Sequence, residues 1–156
     1  MTAEPSAADD TWMRRAIDLS RLCPPSETAF SVGAVIVDAD GIEIANGYSR
    51  ETDPHIHAEE SALAKLATDD ARLHSATIYS TLEPCAKRRS RPRTCTELIL
   101  AAGIPRVVIA WREPDLFATD IDGVETLRSA GVSVVELSQL SLDAREVNAH
   151  LPGIAG

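Results

Sequence analysis

Three side chains able to ligate a soft divalent metal, His57, Cys85 and Cys95, lie far apart in the sequence, and only a narrow set of folds can bring them to one point. His57 opens an alanine- and leucine-rich stretch over 57–66, without Gly or Pro, that reads as a helix. Residues two apart on a helix diverge by about 200°, so His57 and Glu59 can serve one metal only if His57 stands at the helix entrance. The preceding Asp53-Pro54 favours that placement. Cys85 follows the run Thr77-Ile78-Tyr79-Ser80-Thr81-Leu82, a buried-strand pattern, and so sits at a strand's C-terminal end. Cys95 lies inside Thr94-Cys95-Thr96-Glu97, a capping-box sequence, which puts it in the first turn of a helix that Gly103 and Pro105 end. Free backbone N–H groups and the helix dipole there favour a thiolate. All three positions are therefore element termini on one edge of a sheet, where α/β folds collect ligands.

The rest of the chain fits that frame. Residues 10–23 carry Met13, Ala16, Ile17 and Cys23 at roughly helical spacing behind an Asp10 or Thr11 cap, and Pro24-Pro25 stops the helix. Strand patterns at 30–37 and 42–45 flank the turn Asp38-Ala39-Asp40-Gly41 and predict a hairpin. Further strands are expected at 107–110 and 132–137, a helix over 123–130 before Gly131, and a closing helix over 141–151 before Pro152-Gly153. A hairpin followed by helical crossovers predicts an α/β domain on a mixed five-stranded sheet. With 156 residues the chain has room for one core, expected over 10–151, with 1–9 as a disordered leader and 152–156 as a tail. No apolar run of about 18 residues and no signal-like N-terminus occur, which points to the cytoplasm. The net charge of -9 disfavours nucleic acid as a partner.

One imidazole and two thiolates make three protein ligands, and a three-ligand zinc site keeps its fourth tetrahedral position open, the hallmark of a catalytic centre. Glu59, two residues beyond the histidine, stands where a carboxylate could take a proton from water and pass it to a leaving group. Glu60 reads as a solvated helix carboxylate. Cys23 reads as a small buried hydrophobe.

His57-Ala58-Glu59, then Pro84-Cys85 and Cys95, resembles the zinc site of the cytidine deaminase superfamily. The stretches Thr81-Leu82-Glu83-Pro84-Cys85 and Leu98-Ile99-Leu100-Ala101-Ala102-Gly103-Ile104 are similar to the deaminase domain of bifunctional riboflavin-biosynthesis enzymes, as is the nine-residue basic spacer between the cysteines. The resemblance implies a three-layer α/β/α domain, zinc on His57, Cys85 and Cys95, and Glu59 as proton shuttle. It further implies hydrolytic deamination of a small aminopyrimidine or aminopurine base, nucleoside or nucleotide, with water as co-substrate, by a homodimer or homotetramer. The bifunctional enzymes continue into a reductase where this chain stops, so no reductase activity is expected.

The expected substrate contacts are Phe30, Ser49, Arg50 and Arg91. Phe30-Ser31-Val32-Gly33 is closer to cytidine deaminases than to the Asn-Pro pair of the riboflavin type, and Gly47-Tyr48-Ser49-Arg50 resembles guanine and tRNA adenosine deaminases. Five cations between residues 87 and 93, Arg91 foremost, could clamp phosphate or carboxylate. The rival readings are a cytidine, guanine or secondary-metabolite aminoheterocycle deaminase, an inactive zinc-binding interaction module, and a polynucleotide editor.

Overall fold

The structure, a computed structural model, describes residues 5–86, 92–112 and 123–152. The helix α1 (Ala7–Ser20) leads into the hairpin β1 (Gly33–Val37) and β2 (Glu43–Tyr48). There follow α2 (Ala58–Ala64), β3 (Thr77–Leu82), α3 (Cys95–Ala102), β4 (Arg106–Trp111), α4 (Gly123–Ser129), β5 (Ser133–Glu136) and α5 (Ser141–Glu146). Short 3-10 turns at Ala71–Ser75 and Ser138–Leu140, which no sequence pattern announced, join α2 to β3 and β5 to α5.

The five strands form one mixed sheet in the order β2-β1-β3-β4-β5. β1 pairs antiparallel with β2 and β3, whereas β3, β4 and β5 run parallel, linked through α3 and α4. Alternation along the buried strands sorts the core into two halves. Val35, Val37, Val108 and Ala110 face Met13, Ile17 and Ala144 of α1 and α5, while Ile36, Ile78, Val107 and Ile109 face Ala62, Ile99 and Leu127 of α2, α3 and α4. The expected three layers are thus present, and burial on both faces explains why these strands read as continuous apolar runs.

Gly47 sets how closely α2 lies on the sheet. A Cβ there would stand 2.5 Å from the Ala58 carbonyl oxygen and 2.6 Å from the Ala62 nitrogen, both backbone atoms, so only glycine admits the helix at this depth. That contact fixes the first turn of α2, which carries His57 and Glu59 towards the cavity.

One boundary expectation fails. Pro5 to Asp9 are not a disordered leader: α1 begins at Ala7 with Ser6 as its N-cap, the Ser6 side chain accepting from the Asp9 N–H and the Asp9 carboxylate accepting from the Ser6 N–H. The local signal, Ser-x-x-Asp, is a shortened capping box hidden in small polar residues. At its other end α1 closes at Ser20, ahead of the two prolines. Strand β2 continues through Gly47 to Tyr48, and α5 gives way to turns after Glu146.

Candidate metal centre and cavity

The helix entrances deliver the donor atoms. His57 is the N-cap of α2, with extended backbone (φ -89°, ψ 160°), so its side chain leaves the helix axis instead of following it. Its own N–H donates to Glu60 Oε1 at 3.2 Å. Glu60 is therefore more than a solvated carboxylate: it fastens the backbone of His57. The Thr94–Glu97 box does the same for α3, with Glu97 N–H donating to Thr94 Oγ1 at 3.2 Å and Gly103 closing the helix in the left-handed region. Cys95 occupies the first helical position and is fully buried.

Cys85, beyond the end of β3, is held against that first turn. Its carbonyl accepts from the Thr96 N–H at 3.1 Å and its Sγ from the Cys95 N–H at 3.2 Å. His57 Nδ1 lies 3.3 Å from Cys95 Sγ and 3.6 Å from Cys85 Sγ, and the three donor atoms all fall within 4.8 Å of one another. A tetrahedral zinc with ordinary Zn–N and Zn–S bonds separates such donors by about 3.5–3.8 Å. The donor set therefore fits zinc in both chemistry and spacing. Hydrogen bonding from the Cys95 side chain, joined by the His57 ring and the Cys95 N–H, outweighs burial and holds the Cys85 thiol well below its ordinary range. That is the form a metal ligand needs.

A cavity of about 280 Å³ opens onto this cluster, with His57, Cys85 and Glu59 among its lining residues. Glu59 is only 4% exposed. Thr28, Ala29 and Phe30 in the loop before β1 line the cavity as well, together with Arg50 and His55 from the β2–α2 connection. The sequence-predicted Phe30, Ser49 and Arg50 all line the cavity, but two of them are committed elsewhere. Ser49 Oγ accepts from the Val32 N–H at 2.9 Å, and the Arg50 guanidinium bonds to Pro24, Phe30 and Ser31. Arg91 and the rest of 87–91 lie outside the described residues.

Glu83 is a cavity residue to which sequence reasoning assigned no role. Only 4% exposed, its carboxylate accepts from the Val124 N–H at 2.8 Å and so ties the end of β3 to the start of α4. An acidic residue between a buried strand and Pro84-Cys85 was the available signal. Cys23 is half-buried, its thiol directed at the Val32 carbonyl, and none of the three cysteines forms a disulfide. No helix among the described residues is long and apolar enough to cross a membrane.

An α/β/α sandwich that brings an imidazole, two thiolates and a buried carboxylate to one site defines a domain whose described residues offer zinc three protein ligands. The zinc-binding region of cytidine and deoxycytidylate deaminases matches residues 6–111, and the chain belongs to that family. Over 129 residues it is 41% identical to the diaminohydroxyphosphoribosylamino-pyrimidine deaminase of Schizosaccharomyces pombe, covering 81% of this chain and 31% of that protein. The structure of Acinetobacter baumannii RibD aligns with a TM-score of 0.76 at 31% identity, over 90% of this chain and 38% of that one. The Aspergillus oryzae Rib2 deaminase shares the fold over 95% of both chains, with a TM-score of 0.81 at 24% identity. The chain spans about a third of the length of the curated relatives it matches.

Proposed function

We propose that this protein is a zinc-dependent hydrolytic deaminase acting on a phosphoribosylated diaminopyrimidine of the kind named for its relatives. The observation that carries the reading is the shared cavity, in which a buried carboxylate, Glu59, lines the same space as the metal-ligating His57 and Cys85. His57, Cys85 and Cys95 hold the zinc, which supplies Lewis acidity for activating water. Glu59 accepts the proton of the attacking water and delivers it to the departing nitrogen. Water adds at the amine-bearing ring carbon, a C–O bond forms, the C–N bond breaks, and ammonia leaves. Burial of Glu59 keeps bulk water from competing for that proton.

The basic stretch Lys87, Arg88, Arg89, Arg91 and Arg93 supplies the cations for the phosphate in this reading. Three free thiols suit a reducing compartment, and residence in the cytoplasm and assembly as a homodimer or homotetramer belong to the same proposal. A second reading, cytidine or deoxycytidylate deamination, is favoured by one observation, the Phe30-Ser31-Val32 sequence at the cavity wall.

An ammonia-release panel across bases, nucleosides and nucleotides separates these readings. Glu59→Gln keeps the shape of the side chain and removes the base, so turnover should fall by about 10²–10⁴-fold with metal content at the wild-type level. A loss below tenfold would remove Glu59 from the chemistry. Loss of zinc in that variant would reassign it as a ligand.

A further inference from the structure

The cavity wall at residues 28–30 belongs to no helix or strand, yet it is fastened from two directions. Arg50 adopts the left-handed backbone region (φ 62°), which a non-glycine residue with a bulky side chain keeps only where its surroundings hold it. Its guanidinium donates four hydrogen bonds into the loop. Nε and Nη2 reach the Pro24 carbonyl at 3.0 and 2.7 Å, Nη1 the Phe30 carbonyl at 3.1 Å, and Nη2 also Ser31 Oγ at 2.9 Å. From the C-terminal segment, Asn148, 1% exposed, pairs with Ser31 as one peptide group pairs with another. Its Oδ1 accepts from the Ser31 N–H at 2.6 Å and its Nδ2 donates to the Ser31 carbonyl at 3.1 Å.

Between these anchors Phe30 meets the Trp111 ring edge-on, with centroids 5.8 Å apart and planes at 89°. The Arg145 guanidinium covers the same indole at 5.8 Å. A backbone segment outside the sheet has no ladder to order it, and ordering it only when substrate arrives would cost conformational entropy at that moment. Here the ordering is done in advance by side chains that reach main-chain carbonyls and a peptide N–H.

We propose that Arg50 and Asn148 are positioning residues that set the Phe30 wall of the cavity, and so govern substrate affinity without touching the substrate. The proposal rests on the reading of that cavity as the substrate site. It also reassigns Arg50 from substrate contact to wall support, because four of the five guanidinium N–H groups are already spent on the loop. The ligands and Glu59 stand on other elements, so a loosened wall should raise KM and spare kcat.

Two variants test this. Arg50→Lys keeps the charge but loses the fork that spans three acceptors. Asn148→Asp keeps the size but sets an oxygen against the Ser31 carbonyl. The measurements are KM and kcat for ammonia release from the diaminohydroxyphosphoribosylaminopyrimidine, zinc per chain, and the near-ultraviolet circular dichroism of Trp111 in a Trp12→Phe background.

The expected result is a KM raised about 5–30-fold, kcat within about threefold, zinc unchanged and an altered Trp111 spectrum. Phe30→Ala should raise KM comparably, and the Arg50→Lys/Phe30→Ala pair should raise it by less than the product of the two single effects. An unchanged KM, a kcat and zinc content that fall together, or fully multiplicative effects would overturn the proposal. If Asn148→Asp does not fold, Arg50→Lys carries the test alone. If the wild type releases no ammonia, the deaminase reading fails, and an unchanged Trp111 spectrum in the variants would then overturn the clamp on its own.

Discussion

Removing the negative charge of Asp9 should cost this protein a measurable part of its stability, although Asp9 lies in a stretch whose composition resembles a disordered leader. Its carboxylate, 1% exposed, accepts from the Tyr79 hydroxyl at 2.7 Å, from Arg106 Nη1 and Nη2 at 2.8 and 2.6 Å, and from the Ser6 N–H at 2.9 Å. Burial alone would favour the neutral acid, but the Arg106 guanidinium foremost, with Tyr79 and Ser6, overrides it and lowers the pKa from 3.8 to about 2. The Tyr79 phenol is raised in turn, by burial first and then by the carboxylate beside it. A displacement of that size corresponds to about 2 kcal/mol of folding stability near neutral pH.

Asp9→Asn should therefore lose about 2–3 kcal/mol, since it also strands a guanidinium that is only a quarter exposed, and the Tm should drop by roughly 5–10 °C. Because the folded-state pKa lies below the unfolded value, the carboxylate contributes fully above pH 4. The contribution disappears as pH falls through about 2. Urea denaturation of both proteins across pH 2–7 checks this, and the acid lability of the metal site is common to both and cancels in their difference. A difference below about 0.5 kcal/mol at pH 7, or one that does not shrink towards pH 2, would refute the reasoning.

Cys85→Ser and Cys95→Ser should each reduce zinc from about one per chain to a small fraction under dialysis, read by elemental analysis; retention of a full complement in either would remove that cysteine from the ligand set. Gly47→Ala should destabilise the fold by about 1–3 kcal/mol, because the added methyl meets the α2 backbone, and should quicken zinc loss to a chromophoric chelator by displacing His57. Unchanged stability and release kinetics would show that α2 is not seated by that contact.

The convergence of His57, Cys85 and Cys95 was legible because each of them carries a local signal. Thr94, Glu97 and Gly103 mark both ends of α3 in the sequence, and the structure places the N-cap, the capping box and a left-handed Gly103 at those residues. The geometric need for His57 at a helix entrance, drawn from the spacing of His57 and Glu59, is met by its position as N-cap of α2. The start of α1 was missed because Ser6 and Asp9 are a weak cap whose worth comes from Arg106, 97 residues away. Arg50 is expected at the substrate from the resemblance of Gly47-Tyr48-Ser49-Arg50 to other deaminases, and it does line the cavity; its bonds to the carbonyl oxygens of Pro24 and Phe30 are what no side-chain pattern reveals. Asn148 and Glu83 escaped for the same reason: each satisfies the backbone of a distant element, Ser31 in one case and Val124 in the other.

This division has a physical basis that bears on how substrate choice is built. His57, Glu59 and Cys95 are presented by first helical turns whose geometry is set within a few residues by caps, and Cys85 is tied to the second of these turns by the Cys95 N–H ten residues on. The cavity wall at residues 28–30 is a loop whose shape depends on contacts from β2–α2, β4 and the C-terminal segment, and every one of these is long-range in sequence. The fold itself survives extensive change in sequence, since the Aspergillus oryzae deaminase retains it over 95% of this chain at 24% identity. A wall held by three separate elements can instead be reshaped by changing any one clamp, with the metal centre left intact. Substrate specificity in such a domain should therefore track the residues that hold this wall, Arg50, Ser31 and Asn148, as closely as it tracks Phe30 itself.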